Sequence, residues 1–534
     1  MSLCTHNLLL TDKYRLKIMM KKMNAWMLAA ILICGLTLVS CVKEDNAAVP
    51  DISGGGLVQN ENEFETMVPA LPGNPEVIAA LQKIPGVTDI KCFNHYKEGE
   101  CYFFNFEQDI DHQNPALGKF KQQVVLKYKD KDYNTVLHTE GYALGGEPDV
   151  NTNRLDSIVL PAIVEIYKTN CVAVEHRYHG WSLPQGYSNE FTFLNAWQQS
   201  SDLHSIVTAL KASGMFKGKW VSTGVSKNGE TTAFYAYHYP NDMDVYVPYC
   251  GPYLTSLNDK RVGTQVLTAK DIVSELQKIK AVIRYAFSNK TLLHQLTAWY
   301  ATEKPNDVRG MTQDQIDDMF AAEIFTNLFE KESYVHISLW KSWIPTETSS
   351  AEDFYKFFMA NKATKFKNET QQEIAARCAF AKHEMNRQLT SFGFIGRRAA
   401  YKPVKRFYPY DVQTCIDLGN FSWDYAWIED LLTPQQWKEL NGAEIRPETF
   451  GVIYDNGKFI NEFLEGMKTT PCKILFVYGG ADPWTGAAIA DDIILANPNI
   501  SKLTVFEGTH TDFVNYWTDK DKQKLYEFLD PFLK

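Results

Sequence analysis

Val221-Ser222-Thr223-Gly224-Val225-Ser226-Lys227-Asn228-Gly229 is the stretch on which the fold turns. It opens as a β-rich run after Trp220 and narrows to small residues. It then passes directly into Glu230-Thr231-Thr232-Ala233-Phe234-Tyr235-Ala236-Tyr237, which reads as a helix. Strand, sharp turn with a serine at its apex, then helix is the setting that exposes a serine hydroxyl for attack. Gly224 removes a side chain that would crowd the turn, so Ser226 can occupy strained backbone. The helix that follows aims its first amides, that of Lys227 among them, at charge developing on a carbonyl oxygen. One departure stands out: Asn228 occupies the place of the second glycine in G-x-S-x-G, and Gly229 follows it. Asparagine tolerates unusual dihedrals, so the turn survives the change. The motif alone does not separate this reading from a chance Gly-x-Ser turn.

Upstream, Cys171-Val172-Ala173-Val174 is a compact apolar strand of the kind buried in a parallel sheet. It ends in Glu175-His176-Arg177-Tyr178-His179-Gly180-Trp181-Ser182-Leu183-Pro184, a dense polar and aromatic loop. Ligands of open α/β sheets bind at such strand ends. The turn at Tyr178 and His179 is therefore expected to supply a second amide beside that of Lys227. The bland alternative is a well-bonded loop with a buried Glu175–Arg177 pair. Earlier strands are read at Lys91 to Phe106 (a hairpin), Gln122 to Tyr128 and Thr135 to Thr139, the last running into the loop Glu140 to Gly146. Helices are read at Glu76 to Ile84, Leu155 to Tyr167 and Asn195 to Ala212. Cys92 and Cys101 flank a short polar stretch, either as a staple across a hairpin or as two free buried thiols.

Downstream the texture changes. Ala269 to Phe287, Thr291 to Tyr300, Thr312 to Lys331, Ala351 to Met359 and Glu369 to Arg387 show helical periodicity, with few strand-like runs among them. The aromatic cluster Phe421 to Trp427 either lines a cleft or belongs to the core. After Thr470-Pro471 the sheet resumes with Lys473 to Tyr478, which ends in Gly479-Gly480-Ala481-Asp482-Pro483-Trp484. A helix from Ala487 to Leu495 leads to the strand Leu503 to Phe506, which ends in Glu507-Gly508-Thr509-His510. Ser226, Asp482 and His510 thus follow separate apolar strands, in the chain order of α/β-hydrolases. The fold class expected is α/β, an α/β-hydrolase with a large helical cap inserted in the sheet. The boundaries are a leader (1–41), a tether (42–65), the first part of the hydrolase domain (66–255), the cap (256–467) and the rest of the hydrolase domain (468–534). A serine hydroxyl is a weak nucleophile, so His510 would take its proton while Asp482 fixes the imidazole and stabilises its charged form.

Composition narrows the partners. Of 534 residues, 45% are hydrophobic and 22% charged, and the formal charge of −10 lacks the basic surplus a nucleic-acid partner would require. The ten cysteines form no C-x-x-C pair, and neither a metal nor a cofactor is expected. Lys13, Arg15, Lys17, Lys21 and Lys22 precede an apolar run, Ala25 to Val39, that is short for a membrane span. Leu38-Val39-Ser40-Cys41 resembles a bacterial lipobox, with Cys41 lipidated. That implies a protein held by a lipid anchor in the outer membrane of a Gram-negative bacterium, facing either the periplasm or the outside.

The residues also carry a family resemblance. Glu175-His176-Arg177-Tyr178, Gly180, Ser182 and Pro184, the Ser226 elbow, Asp482-Pro483-Trp484 and the late His510 resemble the prolyl carboxypeptidase and dipeptidyl-peptidase II group of serine peptidases. Asn105 to His112, Gly118 to Gln122 and Thr139 to Tyr142 are similar to the secreted bacterial tripeptidyl aminopeptidases, serine peptidase family thirty-seven. The resemblance implies peptide substrates, no metal, and release of short peptides from free N-termini. Such an enzyme needs a negative group for the substrate ammonium, and Glu140, Glu175 and Glu230 are the candidates by position. An esterase with the same triad is an alternative within the hydrolases. A retired surface-binding lipoprotein is the alternative outside them, favoured by Asn228 alone.

Overall fold

Apolar runs with β-branched residues, buried on both faces, build the centre of the molecule. The computed structural model describes residues 70–95, 98–144, 160–184, 191–270, 273–303, 305, 308–317, 344–358, 409–422, 426–431, 434, 446–510, 514 and 517–534. The expected leader, its Cys41, the whole tether and the helix Glu369 to Arg387 lie outside these residues. Ten strands form one sheet in the order β1-β2-β3-β4-β6-β5-β7-β8-β9-β10. They are β1 (Ala70–Leu71), β2 (Val87–His95), β3 (Gly99–Asp109), β4 (Lys119–Lys127), β5 (Thr135–Thr139), β6 (Asn170–Val174), β7 (Trp220–Val225), β8 (Val245–Tyr249), β9 (Ile474–Gly479) and β10 (Ile500–Val505). From β6 through β5 to β10 neighbours run parallel, and β1 to β4 join the same sheet antiparallel, β4 against β6. The chain is an α/β-hydrolase.

The alternation of side chains along each strand sorts the core into two layers. Leu137, Val172, Val174, Tyr246, Ile474 and Phe476 face one way, onto Leu203, Ile206 and Leu210 of helix α2 and Phe234 of α3. Val136, Cys171, Val221, Val245, Leu475 and Leu503 face the other way, onto Ile163 and Val164 of α1 and Leu525 and Leu529 of α4. Here α1 is Ala162–Tyr167, α2 Ala196–Ala212, α3 Lys227–His238 and α4 Asp519–Leu533. Each such aliphatic side chain withdrawn from water contributes about 1.5–3 kcal/mol. Between β8 and β9 the described residues carry helices, including Val273–Ser288 and Lys290–Glu303, and no strand beyond an isolated bridge of Asp259 to Phe421.

One local expectation changes and two open alternatives are decided. Cys92 lies opposite Tyr102, and Cys101 opposite Phe93, so the two thiols are one residue out of register and enter opposite layers. Both are free and buried, and the staple is ruled out. The helix expected from Ala487 starts at Asp491 instead. Asp482 caps a separate short turn, Pro483–Ala487, after which Ala488 is extended. Phe421 is core, packed edge-on against Trp484 at 4.4 Å between ring centres.

Candidate active site

The elbow is held by close backbone crossings. Ser226 sits at φ 62° and ψ −127°, between β7 and α3, and its amide donates to the Tyr249 carbonyl at 2.9 Å. A side chain on Gly224 would meet the Asn228 carbonyl oxygen at 2.5 Å, and one on Gly229 the Tyr249 carbonyl oxygen at 2.3 Å. Glycine is therefore required at 224 and 229. Position 228 accepts a side chain, and Asn228 uses both ends of it. Its Oδ1 accepts from the Gly141 amide at 2.7 Å, and its Nδ2 donates to Glu140 Oε2 at 2.7 Å.

Asp482 and His510 come together from the ends of β9 and β10. His510 Nδ1 is 2.8 Å from Asp482 Oδ2, with Asp482 fully buried and His510 nearly so. The other oxygen of Asp482 accepts from the Trp484 amide at 3.0 Å. The two loops approach so closely that a side chain on Gly479 would meet the Gly508 carbonyl oxygen at 2.4 Å. Cys250, which follows β8, completes a group with Asp482 and His510 whose ligand atoms lie within 4.8 Å of one another. Among the described residues this is the one cluster of metal-ligating type, and the hydrogen bond between Asp482 and His510 already ties two of its three members. A mostly apolar pocket opens beside His510, among Val225, Tyr249, Cys250, Val514 and Trp517.

The strand order corrects the expected second amide. Tyr178 and His179 follow β6, which β5 separates from the serine strand β7. Their amides are engaged inside their own turn, Tyr178 to the Ser182 carbonyl at 2.8 Å and His179 to the His176 carbonyl at 3.1 Å. The loop that meets the elbow is Glu140 to Leu144, after β5. A side chain on Gly141 would lie 2.2 Å from Lys227 Cγ and 2.8 Å from the Lys227 carbonyl carbon. This is also the crevice where the strand order reverses, β5 to β6 on one side and on to β7 at the other. The glycine in Glu140-Gly141-Tyr142 was the sequence signal for it.

The three candidate carboxylates have different surroundings. Glu175 accepts from the amides of Leu144, Trp181 and Ser182 at 2.9–3.0 Å and from Ser182 Oγ at 2.6 Å. Arg177, its expected partner, forks instead onto Asp202, with Nε–Oδ2 2.8 Å and Nη2–Oδ1 2.6 Å. Arg177 and its neighbours hold Asp202 below the usual carboxylate range against the burial that opposes this. Glu140 is tied to Asn228, with its other oxygen 3.9 Å from His138 Nδ1. Glu230 is buried, and its Oε2 has no hydrogen-bond partner. Burial pushes its carboxyl up to about 8.

A family model described as PS-10 peptidase S37 matches residues 70–410, more than half of the chain. The chain belongs to the S37 peptidases. It is a serine peptidase by family, and its elbow, its late aspartate–histidine pair and its strand order fit one another. A prolyl tri/tetrapeptidyl aminopeptidase from Streptomyces mobaraensis is 25% identical over 413 residues, 76% of this chain and 74% of that protein. Among solved structures, a proline iminopeptidase from Mycobacterium smegmatis is 11% identical with a TM-score of 0.34, over 78% of this chain and 97% of that one. A bromoperoxidase from Bacillus anthracis is 13% identical with a TM-score of 0.31, over 80% and 99%.

Proposed function

We propose that this S37 peptidase is an aminopeptidase that releases short peptides, tripeptides in particular, from free N-termini through an acyl-enzyme. The carrying observation is the buried His510–Asp482 hydrogen bond at the ends of adjacent strands, in a chain whose Ser226 occupies the strained elbow. Ser226 Oγ attacks the scissile carbonyl while His510 takes its proton and then passes it to the leaving amine. Water, activated by the same imidazole, releases the peptide. Asp482 keeps the ring in its tautomer. The Lys227 amide and the Tyr142 amide, next to the Gly141 amide that Asn228 already engages, receive the oxyanion, each donor being worth about 3–4 kcal/mol of barrier. The cavity beside His510 suits an apolar side chain next to the cut bond, and the name of the Streptomyces relative supports proline there.

Asn228 no longer favours a retired protein, because its side chain bonds the loop to the elbow. The lipobox reading of Cys41 supports a place in the cell envelope. Cys41→Ala should move the protein from the membrane to the soluble fraction, and an unchanged distribution would remove that part of the proposal. For the activity, the protein and its Ser226→Ala variant are incubated with one peptide in free and N-acetylated forms. Mass spectrometry should show stepwise tripeptide loss from the free form only, abolished in the variant. Cleavage of both forms would make it an endopeptidase, and no Ser226-dependent cleavage would end the reading.

A further inference from the structure

Glu230 lies in the first turn of α3, where its amide donates to the Ser226 carbonyl at 2.9 Å. Facing the same interior from the region between β8 and β9 is Asp417, in a π-helical turn, Thr414–Leu418. Gly419 closes that turn at φ 75°, where a side chain would meet the Leu254 carbonyl oxygen at 2.6 Å. Asp417 Oδ2 accepts from the Ala196 amide at 2.7 Å and the Gln413 side chain lies near enough to favour its charged form, whereas Oδ1, like Glu230 Oε2, meets no donor at hydrogen-bond distance. Both carboxyls are interior, so each bare oxygen carries a desolvation cost that no protein donor relieves.

Lys227 attracts both carboxyls without forming an ion pair with either. Its Nζ lies 3.4 Å from His176 Nε2. His176 Nδ1 is 2.8 Å from the Arg177 carbonyl, which places the proton on Nδ1 and leaves Nε2 as acceptor toward Lys227. Burial, reinforced by Lys227, holds this imidazole well below its ordinary value and therefore neutral. Asp455 is a further negative neighbour of Asp417. One ammonium and two carboxyls thus surround an interior with two unmatched acceptor oxygens.

We infer that Glu230 Oε2 and Asp417 Oδ1 receive the α-ammonium of the peptide substrate, with Lys227 holding the pair in place. This rests on the aminopeptidase reading. A primary ammonium supplies three N–H donors and the missing positive charge. Glu175 is saturated by four donors, and Glu140 is held by Asn228 with its second oxygen 3.9 Å from His138 Nδ1, whereas Glu230 Oε2 faces the interior shared with Asp417 and Lys227. Asp417 lay outside the sequence reading. Glu230 is four residues beyond Ser226, roughly 6 Å along the helix, and a tripeptidyl group spans about 10 Å. A short acyl chain bridges that span, and a longer one has no room to run on past two buried carboxylates. Burial raises both carboxyls, so the empty site holds protons that an arriving ammonium displaces into solvent.

The test compares Ala-Ala-Pro-p-nitroanilide with propionyl-Ala-Pro-p-nitroanilide, identical except for the missing ammonium. Wild-type protein should prefer the amine, and Glu230→Gln and Asp417→Asn should each lower that preference about 10- to 100-fold, chiefly through KM. A preference within twofold of wild type in variants with unchanged melting would overturn the inference. Should neither variant fold, wild-type protein decides alone. Calorimetric binding of Ala-Ala-Pro in buffers of different ionisation heat should report proton release near neutral pH, and propionyl-Ala-Pro should report none. Equal proton release from the two would overturn the inference. Cleavage that persists in Ser226→Ala fails the parent reading. An unchanged amine preference with Ser226 dependence intact fails this one alone.

Discussion

Two loops leave the sheet side by side, Glu140 to Leu144 after β5 and Glu175 to Pro184 after β6, and each begins with a buried glutamate. The second is richer in polar and aromatic residues and looks the more functional. Yet it closes largely on itself: Glu175 gathers the Trp181 and Ser182 amides and the Ser182 hydroxyl, with the Leu144 amide of the first loop beside them, and Gly180, at φ 51°, passes so close that a side chain would meet Glu175 Oε1 at 2.2 Å. The first is short and plain, and it is bonded outward, through Gly141 and Glu140 to Asn228 on the elbow. A loop's chemistry is decided by where its donors already point. Polar density alone says little about it.

Substitutions can break this contrast. Gly141→Ala should cause the largest loss, at least 100-fold in kcat/KM, because its new methyl collides with Lys227 and displaces the oxyanion side of the site; steady-state kinetics on folded protein checks it. Asn228→Ala removes both bonds between loop and elbow, and kcat should fall about 10- to 100-fold with KM little changed. Asn228→Gly at full activity would show that the loop needs no strap. Glu175→Gln should act on stability instead, by about 1–3 kcal/mol in denaturant unfolding, with the kcat of the folded protein within a few-fold of wild type.

The smallest effect is with pH. Burial keeps Glu230 protonated until about 8, so it becomes a better acceptor as pH rises toward that value. KM for free peptides should therefore fall several-fold between pH 6 and 8, and flatten as the substrate amine, near 8, begins to lose its own proton. The groups facing Glu230 in that titration are Lys227, Asp417 and Tyr253. Glu230→Gln should flatten the profile, which a KM series over that range will read.

The strand-end positions of Ser226, Asp482 and His510, the proposed triad, were legible because the end of an apolar run is visible in one dimension. The oxyanion loop was not, because choosing between residues 140–144 and 178–179 requires knowing that β5 lies between β6 and β7. Asn228 read as a defect because its partners, Gly141 and Glu140, lie 87 and 88 residues away. The choice left open at Cys92 and Cys101 was one of register, a single residue that places them on opposite faces. Asp417 carried no signal at all, since its turn lies in a region whose only pattern is helical.

The spacing of the site along the chain has a consequence for how the protein is made. Ser226 follows β7, whereas Asp482 and His510 follow β9 and β10, the last strands among the described residues. A ribosome that has released the chain as far as β8 has produced a nucleophile without a base. Only when the last two strands dock can the hydroxyl be deprotonated. With the proposed triad, the peptidase is thereby silent during its own synthesis and switched on by the completion of its sheet.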